Sequence, residues 1–268
     1  MKFYNLKKKL FYSDTDKIKF FHLHKTGGTF VNELLPGVSN IGHNPNFFQY
    51  MKENQHREII PFGTIRDPIR FYPSAINFWL STNQDVEYLA KQQNVDIQHV
   101  KITKIHDLDL TKSNHIAKFL NNDARGNLQI ALNLLFQNEF LTKYEKYYQH
   151  SLIDRKYKIF KFMKKHDIGF FTFSFLEQYS NFDLTKSFNI EEAVIDTFEN
   201  FEFININNYR NDLINLQKKY NFKPLLDNSN ILNTKKSDPK TKPLLSKELE
   251  TKIRYLDRYI FKHYDFIN

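Results

Sequence analysis

The chain contains no cysteine, which excludes a disulfide scaffold, a zinc ribbon and a thiol nucleophile together. Long hydrophobic runs are missing as well. The basic segment Met1 to Lys9 is followed by no apolar run of signal-peptide length. No stretch approaches the roughly 18 apolar residues of a membrane span. A soluble, cytoplasmic chain without integral membrane association is therefore expected. No internal repeat and no clear inter-domain linker is visible.

What is present points to a folded protein with an anionic partner. At 268 residues, the chain can build one well-cored domain, or one domain with a sizeable insertion. Hydrophobic residues make up 41%, with 27 Phe and 15 Tyr, which is far too apolar for disorder. The net charge of +9 suits nucleic acid, an acidic glycan, a phosphorylated cofactor or a membrane surface. Part of that surplus follows from a general abundance of Lys, Asn, Ile and Phe, as an AT-rich coding sequence produces.

Along the chain, Lys17 to Leu23 reads as a strand that stops at His24-Lys25-Thr26-Gly27-Gly28-Thr29. The apolar segment Phe30 to Leu35 then reads as a helix closed by Pro36-Gly37. A second strand is expected over Ile59 to Ile65, with Pro61 tolerable only at its start or on an edge. It ends at Arg66-Asp67-Pro68, where Asp67 suits an N-cap and Pro68 the first helical position. That helix runs through Phe71, Ala75 and Phe78-Trp79. Residues 81–165 read as helical, with a break at Asn121 to Asn127, which contains Gly126. Ile168 to Phe175 reads as either a strand or a buried helix. A helix through Ile190, Ala193, Val194 and Phe198 follows, then a strand over Glu202 to Ile206 and a helix through Leu213, Leu216 and Tyr220. Asn228 to Lys242 is a polar loop. The last helix starts at Ser246 and continues through Leu249, Ile253, Leu256 and Ile260. The expected architecture is α/β, a single domain over residues 1–268, with residues 81–165 as a helical insertion.

The order strand, Gly-containing turn, helix has a direct physical use. Glycines let backbone N–H groups face an anion without Cβ obstruction. The helix N-terminus adds partial positive charge, and Lys25 a full one. An ordinary Gly-containing connection has the same local sequence. The segment Phe21-His22-Leu23-His24-Lys25-Thr26-Gly27-Gly28-Thr29 resembles the 5′-phosphosulfate loop of the carbohydrate sulfotransferases, the family of heparan sulfate 2-O-sulfotransferase-like and related bacterial enzymes. It departs at His24, where Pro is usual, and at Phe30, where Ser or Thr often follows. Arg66-Asp67-Pro68-Ile69-Arg70-Phe71-Tyr72-Pro73-Ser74-Ala75 is similar to the family segment that binds the cofactor's 3′-phosphate. A weaker similarity covers Ile231 to Lys235, Leu245 to Leu249 and Asp257 to Ile260. Phe203 to Leu213 resembles the family's late strand and helix, except that Asn208 stands where Glu is usual.

The resemblance implies a P-loop-like three-layer sandwich with a central parallel sheet. It also implies a 3′-phosphoadenosine-5′-phosphosulfate (PAPS)-dependent transferase that sulfates a carbohydrate hydroxyl, such as one of a cell-surface polysaccharide or its precursor. Lys25 would act at the leaving-group oxygen, while the backbone of Thr26, Gly27, Gly28 and Thr29 and the Thr29 hydroxyl cradle the 5′-phosphosulfate. Arg66, a bidentate fork, and Ser74, a neutral donor, would hold the 3′-phosphate. The family often presents a His after the first helix, which makes His43 the expected base, its ordinary pKa near about 6.5 lying close to working pH. His24 is second choice and Glu33 third, while His22 is expected to point into the sheet packing. No metal requirement and no nucleic-acid partner are expected. With no membrane anchor, the resemblance implies a bacterial or viral source. Two alternatives compete. A nucleotide phosphotransferase of the P-loop class demands G-x-x-x-x-G-K-[ST], which is absent. A non-catalytic, basic, glycan-binding relative would be marked by loss of Lys25, Arg66 or Ser74, and all three are present.

Overall fold

The computed structural model of the chain describes residues 17–28, 31, 38–42, 45–55, 59–82, 112, 114, 117, 120, 123–143, 151–220 and 245–266. The chain divides into two compact units. The first comprises Met1–Asp67, Ser174–Lys235 and Tyr259–Asn268, and the second Pro68–Phe173 and Lys236–Arg258.

The first unit is built on a four-stranded, wholly parallel sheet. Its strands are β1 (Ile18–His22), β2 (Ser39–Gly42), β3 (Ile60–Ile65) and β4 (Glu202–Asn205), in the order β2-β1-β3-β4. Alternation along the strands sends side chains to two faces. On one face, Ile18, Phe20, Ile60, Phe62 and Ile204 form a core with Val31 and with Leu213 and Leu216 of helix α8 (Tyr209–Tyr220). On the other, Phe21 meets Phe47 and Tyr50 of helix α1 (Phe47–Glu53), each ring pair 5.5 Å apart between centroids. Phe203 of β4 packs there with Phe175 and Tyr179 of helix α6 (Phe170–Tyr179) and with Phe198 of helix α7 (Ile190–Asn200). Helix, sheet, helix is thus the layering of this unit. Parallel strands covered on both faces read as continuous apolar runs, which is why IKFFH and IPFGTI show no alternation.

Pro61 occupies the second position of β3, a central strand. Pairing with β4 begins only at Phe62, so the missing N–H of Pro61 falls before the shared ladder. The sequence condition that it sit at the strand's start is met.

The second unit is helical. It contains α2 (Pro68–Thr82), α3 (Asp123–Phe136), α4 (Phe140–Lys143), α5 (Ser151–His166), the first residues of α6 and α9 (Lys247–Leu256). α2 begins at Pro68, as expected from Asp67-Pro68. Its inner face supplies Phe71, Tyr72, Ala75, Ile76 and Trp79 to the core, with Phe71 packed on Phe171 and Trp79 on Phe170.

Three expectations change. Gly126 does not break the helix but lies inside α3, where a Cβ would come 2.2 Å from Cδ of Lys156. Gly126 is therefore a close-packing position, not a turn. The segment Ile168 to Phe175 resolves to helix, as the start of α6. The last helix is not continuous to Ile260. It ends at Leu256, and helix α10 (Arg258–His263) begins after Asp257. Ser246 does cap α9, its Oγ accepting from the Leu249 N–H at 3.2 Å. The expected helix at Phe30 to Leu35 and the loop at Asn228 to Lys242 lie outside the described residues, apart from Val31, which is helical.

A candidate anion site at the sheet's switch point

The strand order places a site before any residue chemistry is considered. From β1 the chain moves to β2 on one side, then returns to β3 on the other. The carboxyl ends of β1 and β3 therefore flank a topological switch point, where open parallel sheets hold their ligands. The residues following those two ends are His24 to Gly28 and Arg66.

Both segments carry the sequence's candidates. Lys25 adopts φ +64°, a left-handed conformation that costs a non-glycine residue about 1–2 kcal/mol. Gly27 follows at φ +87°. Left-handed turns of this kind orient successive N–H groups into an anion-binding concavity. Arg66 reaches back across the switch point, its Nη1 donating to the Lys25 carbonyl at 3.0 Å. The helix after the loop opens with the Val31 N–H donating to the Gly27 carbonyl at 3.1 Å. Lys25 and Arg66 are both half-buried and His24 is exposed.

The two glycines are fixed by close approach. A Cβ at Gly28 would lie 2.1 Å from Cδ2 of His22, and one at Gly27 would lie 2.2 Å from Cδ1 of Ile206. His22 stacks on Phe20, the ring centroids 5.3 Å apart, which agrees with its expected place in the sheet packing.

Thr26 serves the loop from within. It is fully buried, and its Oγ1 donates to the Leu23 carbonyl at 2.7 Å. The same oxygen lies 2.7 Å from Oγ1 of Thr64. A hydroxyl has one proton to give, so Thr64 is the donor in that pair. A third hydroxyl completes the group. Tyr179 accepts from the Leu23 N–H at 3.0 Å and donates to the Thr64 carbonyl at 3.1 Å. Burial holds its phenol well above the ordinary range, so it stays protonated. Sequence reasoning missed Thr64 and Tyr179, which stand at the ends of an apolar strand and an aromatic helix. The one signal was Gly63, whose missing Cβ would fall 2.9 Å from the Tyr179 ring.

The remaining candidates are distributed as follows. Ser74 is buried on α2, in the second unit, while Arg66 belongs to the first. Thr29, Glu33 and His43 lie outside the described residues. Asp257, from the weak C-terminal similarity, is a fully buried structural carboxylate of the second unit. It accepts from the N–H and Oγ1 of Thr172 at 2.8 and 2.7 Å and from the Tyr72 hydroxyl at 2.9 Å, so it caps the first turn of α6. Burial pushes its carboxyl up to about 6.

Compared with known proteins, the chain matches no family model, no curated protein and no solved structure. The described residues include no helix long and apolar enough to cross a membrane.

Proposed function

We propose that the chain is a sulfotransferase that moves a sulfuryl group from PAPS onto a carbohydrate hydroxyl. The observation that carries this reading is the loop at the switch point, with Lys25 in a left-handed conformation and Arg66 donating to its carbonyl. The donor set suits an anion. It joins one ammonium, one guanidinium and the backbone of a turn in which Lys25 and Gly27 are both left-handed. The net charge of +9 favours an anionic cosubstrate in the same direction.

When bound, PAPS supplies the sulfuryl group and departs as 3′-phosphoadenosine 5′-phosphate. Lys25 would stabilise the negative charge of the leaving-group oxygen. The backbone of Gly27 and Gly28 would cradle the 5′-phosphosulfate, and the Thr26 hydroxyl ties the loop to Leu23 and Thr64. Arg66 would hold the 3′-phosphate. His43 is the expected base that takes the proton of the acceptor hydroxyl.

Incubation with sulfur-labelled PAPS and a panel of polysaccharides tests the activity. Label is expected in the carbohydrate fraction, reduced at least about 100-fold by Lys25→Ala. Label that never leaves PAPS with any acceptor would support the non-catalytic, glycan-binding reading instead. Transfer of the γ-phosphoryl group of ATP would favour a phosphotransferase.

A further inference from the structure

We propose that Tyr179 is the positioning residue of the anion loop, clamping the start of the loop to the end of β3 so that Lys25 is held in its left-handed conformation. The inference rests on the reading of that loop as an anion site. Three observations support it. The Tyr179 hydroxyl spans 156 residues of sequence to take the Leu23 N–H, the last backbone donor before the turn. It gives its own proton to the carbonyl of Thr64, whose side chain holds Thr26. The ring is locked independently of the loop, with centroids 5.1 Å from Phe201 and 5.1 Å from Phe203, and Gly63 leaves the space it fills.

The geometry explains why the phenol matters rather than the ring. Leu23 is a buried residue between the strand and the turn, and a buried N–H needs a partner, which Tyr179 supplies. One oxygen serves that N–H and the Thr64 carbonyl at once. The clamp therefore joins the two strand ends that form the switch point. With it in place, Thr26 and Arg66 hold the two carbonyls on either side of His24, those of Leu23 and Lys25. The strained φ of Lys25 persists because these bonds over-determine it.

Tyr179→Phe keeps the ring and removes the clamp. Ile18→Val, in the sheet core at the end of β1 opposite the loop, serves as a control for plain destabilisation. Amide hydrogen exchange and calorimetric titration with 3′-phosphoadenosine 5′-phosphate are carried out well below the unfolding transition, where circular dichroism shows both variants folded. In Tyr179→Phe the amides of Leu23 to Gly28 are expected to exchange at least about tenfold faster than in wild type, while those of α8 keep their rates. Affinity for the bisphosphate falls about tenfold, and Ile18→Val leaves it unchanged. Unaltered exchange in the loop overturns the inference. So does faster exchange with unchanged affinity, or an equal loss of affinity in Ile18→Val. If wild type binds no bisphosphate, the sulfotransferase reading fails separately, and the exchange rates alone decide whether Tyr179 clamps the loop.

Discussion

Lys25 carries both the charge and the strain of the candidate site, and the two are separable by mutation. Lys25→Gly removes the ammonium but also a left-handed non-glycine residue at φ +64°. Relief of about 1–2 kcal/mol outweighs the backbone-entropy cost of glycine, about 0.5–1 kcal/mol. The variant is thus expected to be as stable as wild type, or more stable by up to about 1.5 kcal/mol, while bisphosphate affinity falls tenfold or more. Denaturant midpoints and calorimetry check both halves. A destabilised Lys25→Gly would show that the lysine side chain serves folding and not binding. At this scale the sequence was informative about chemistry and silent about support. Lys25, Gly27 and Gly28 stand out because a strand, a turn and a charge coincide. Tyr179 and Thr64 do not, because a buried hydroxyl in an apolar segment looks like packing until its long-range partner is known.

Among the elements, β1, β3, β4 and the helix from Pro68 were legible because apolar runs, prolines and turn residues mark their limits. Helix ends without glycine were not. α3 and α5 end on Gln137 at φ +55° and Asp167 at φ +51°, with Asn138 N–H donating to Asn133 and Ile168 N–H to Met163. These are left-handed C-caps with the usual glycine absent. The break at Asp257 was equally hidden, since apolar periodicity continues through Leu256 to Ile260 and only tertiary contacts make the carboxylate a cap for α6. That cap predicts a pH effect. Its carboxyl titrates near 6 in the folded protein against an ordinary 3.8, so the folded state holds the proton more tightly than the unfolded chain. The contribution of Asp257 to stability therefore falls as pH rises from about 4 to 6, by roughly 3 kcal/mol in all. Asp257→Asn cannot titrate. The stability of wild type relative to Asp257→Asn should drop across that window and stay flat above it. Urea unfolding of both proteins at pH 4, 5, 6 and 7 measures this, and parallel curves would contradict the assignment.

For the molecule as a whole, the sheet order β2-β1-β3-β4 puts a switch point at the ends of β1 and β3, and the resemblance in the two Arg/Lys-bearing segments bears on the ligand proposed there. The parallel sheet and its flanking helices follow from the sequence because each strand of the first unit is a short apolar run bounded by turn residues. The division into two units does not, since both are discontinuous and, of the four crossings after Asp67, Phe173, Lys235 and Arg258, only the one after Lys235 falls in a polar stretch. The central claim is that the switch point holds a 3′-phosphorylated adenine nucleotide. Calorimetric titration with 3′-phosphoadenosine 5′-phosphate, without magnesium, tests it most directly, with ADP as the control nucleotide and Arg66→Ala and Arg66→Lys as paired variants. The account predicts micromolar binding that weakens at least about tenfold with ADP and with Arg66→Ala, with Arg66→Lys intermediate. No binding by the wild-type protein, or equal binding of ADP that appears only with magnesium, would contradict it.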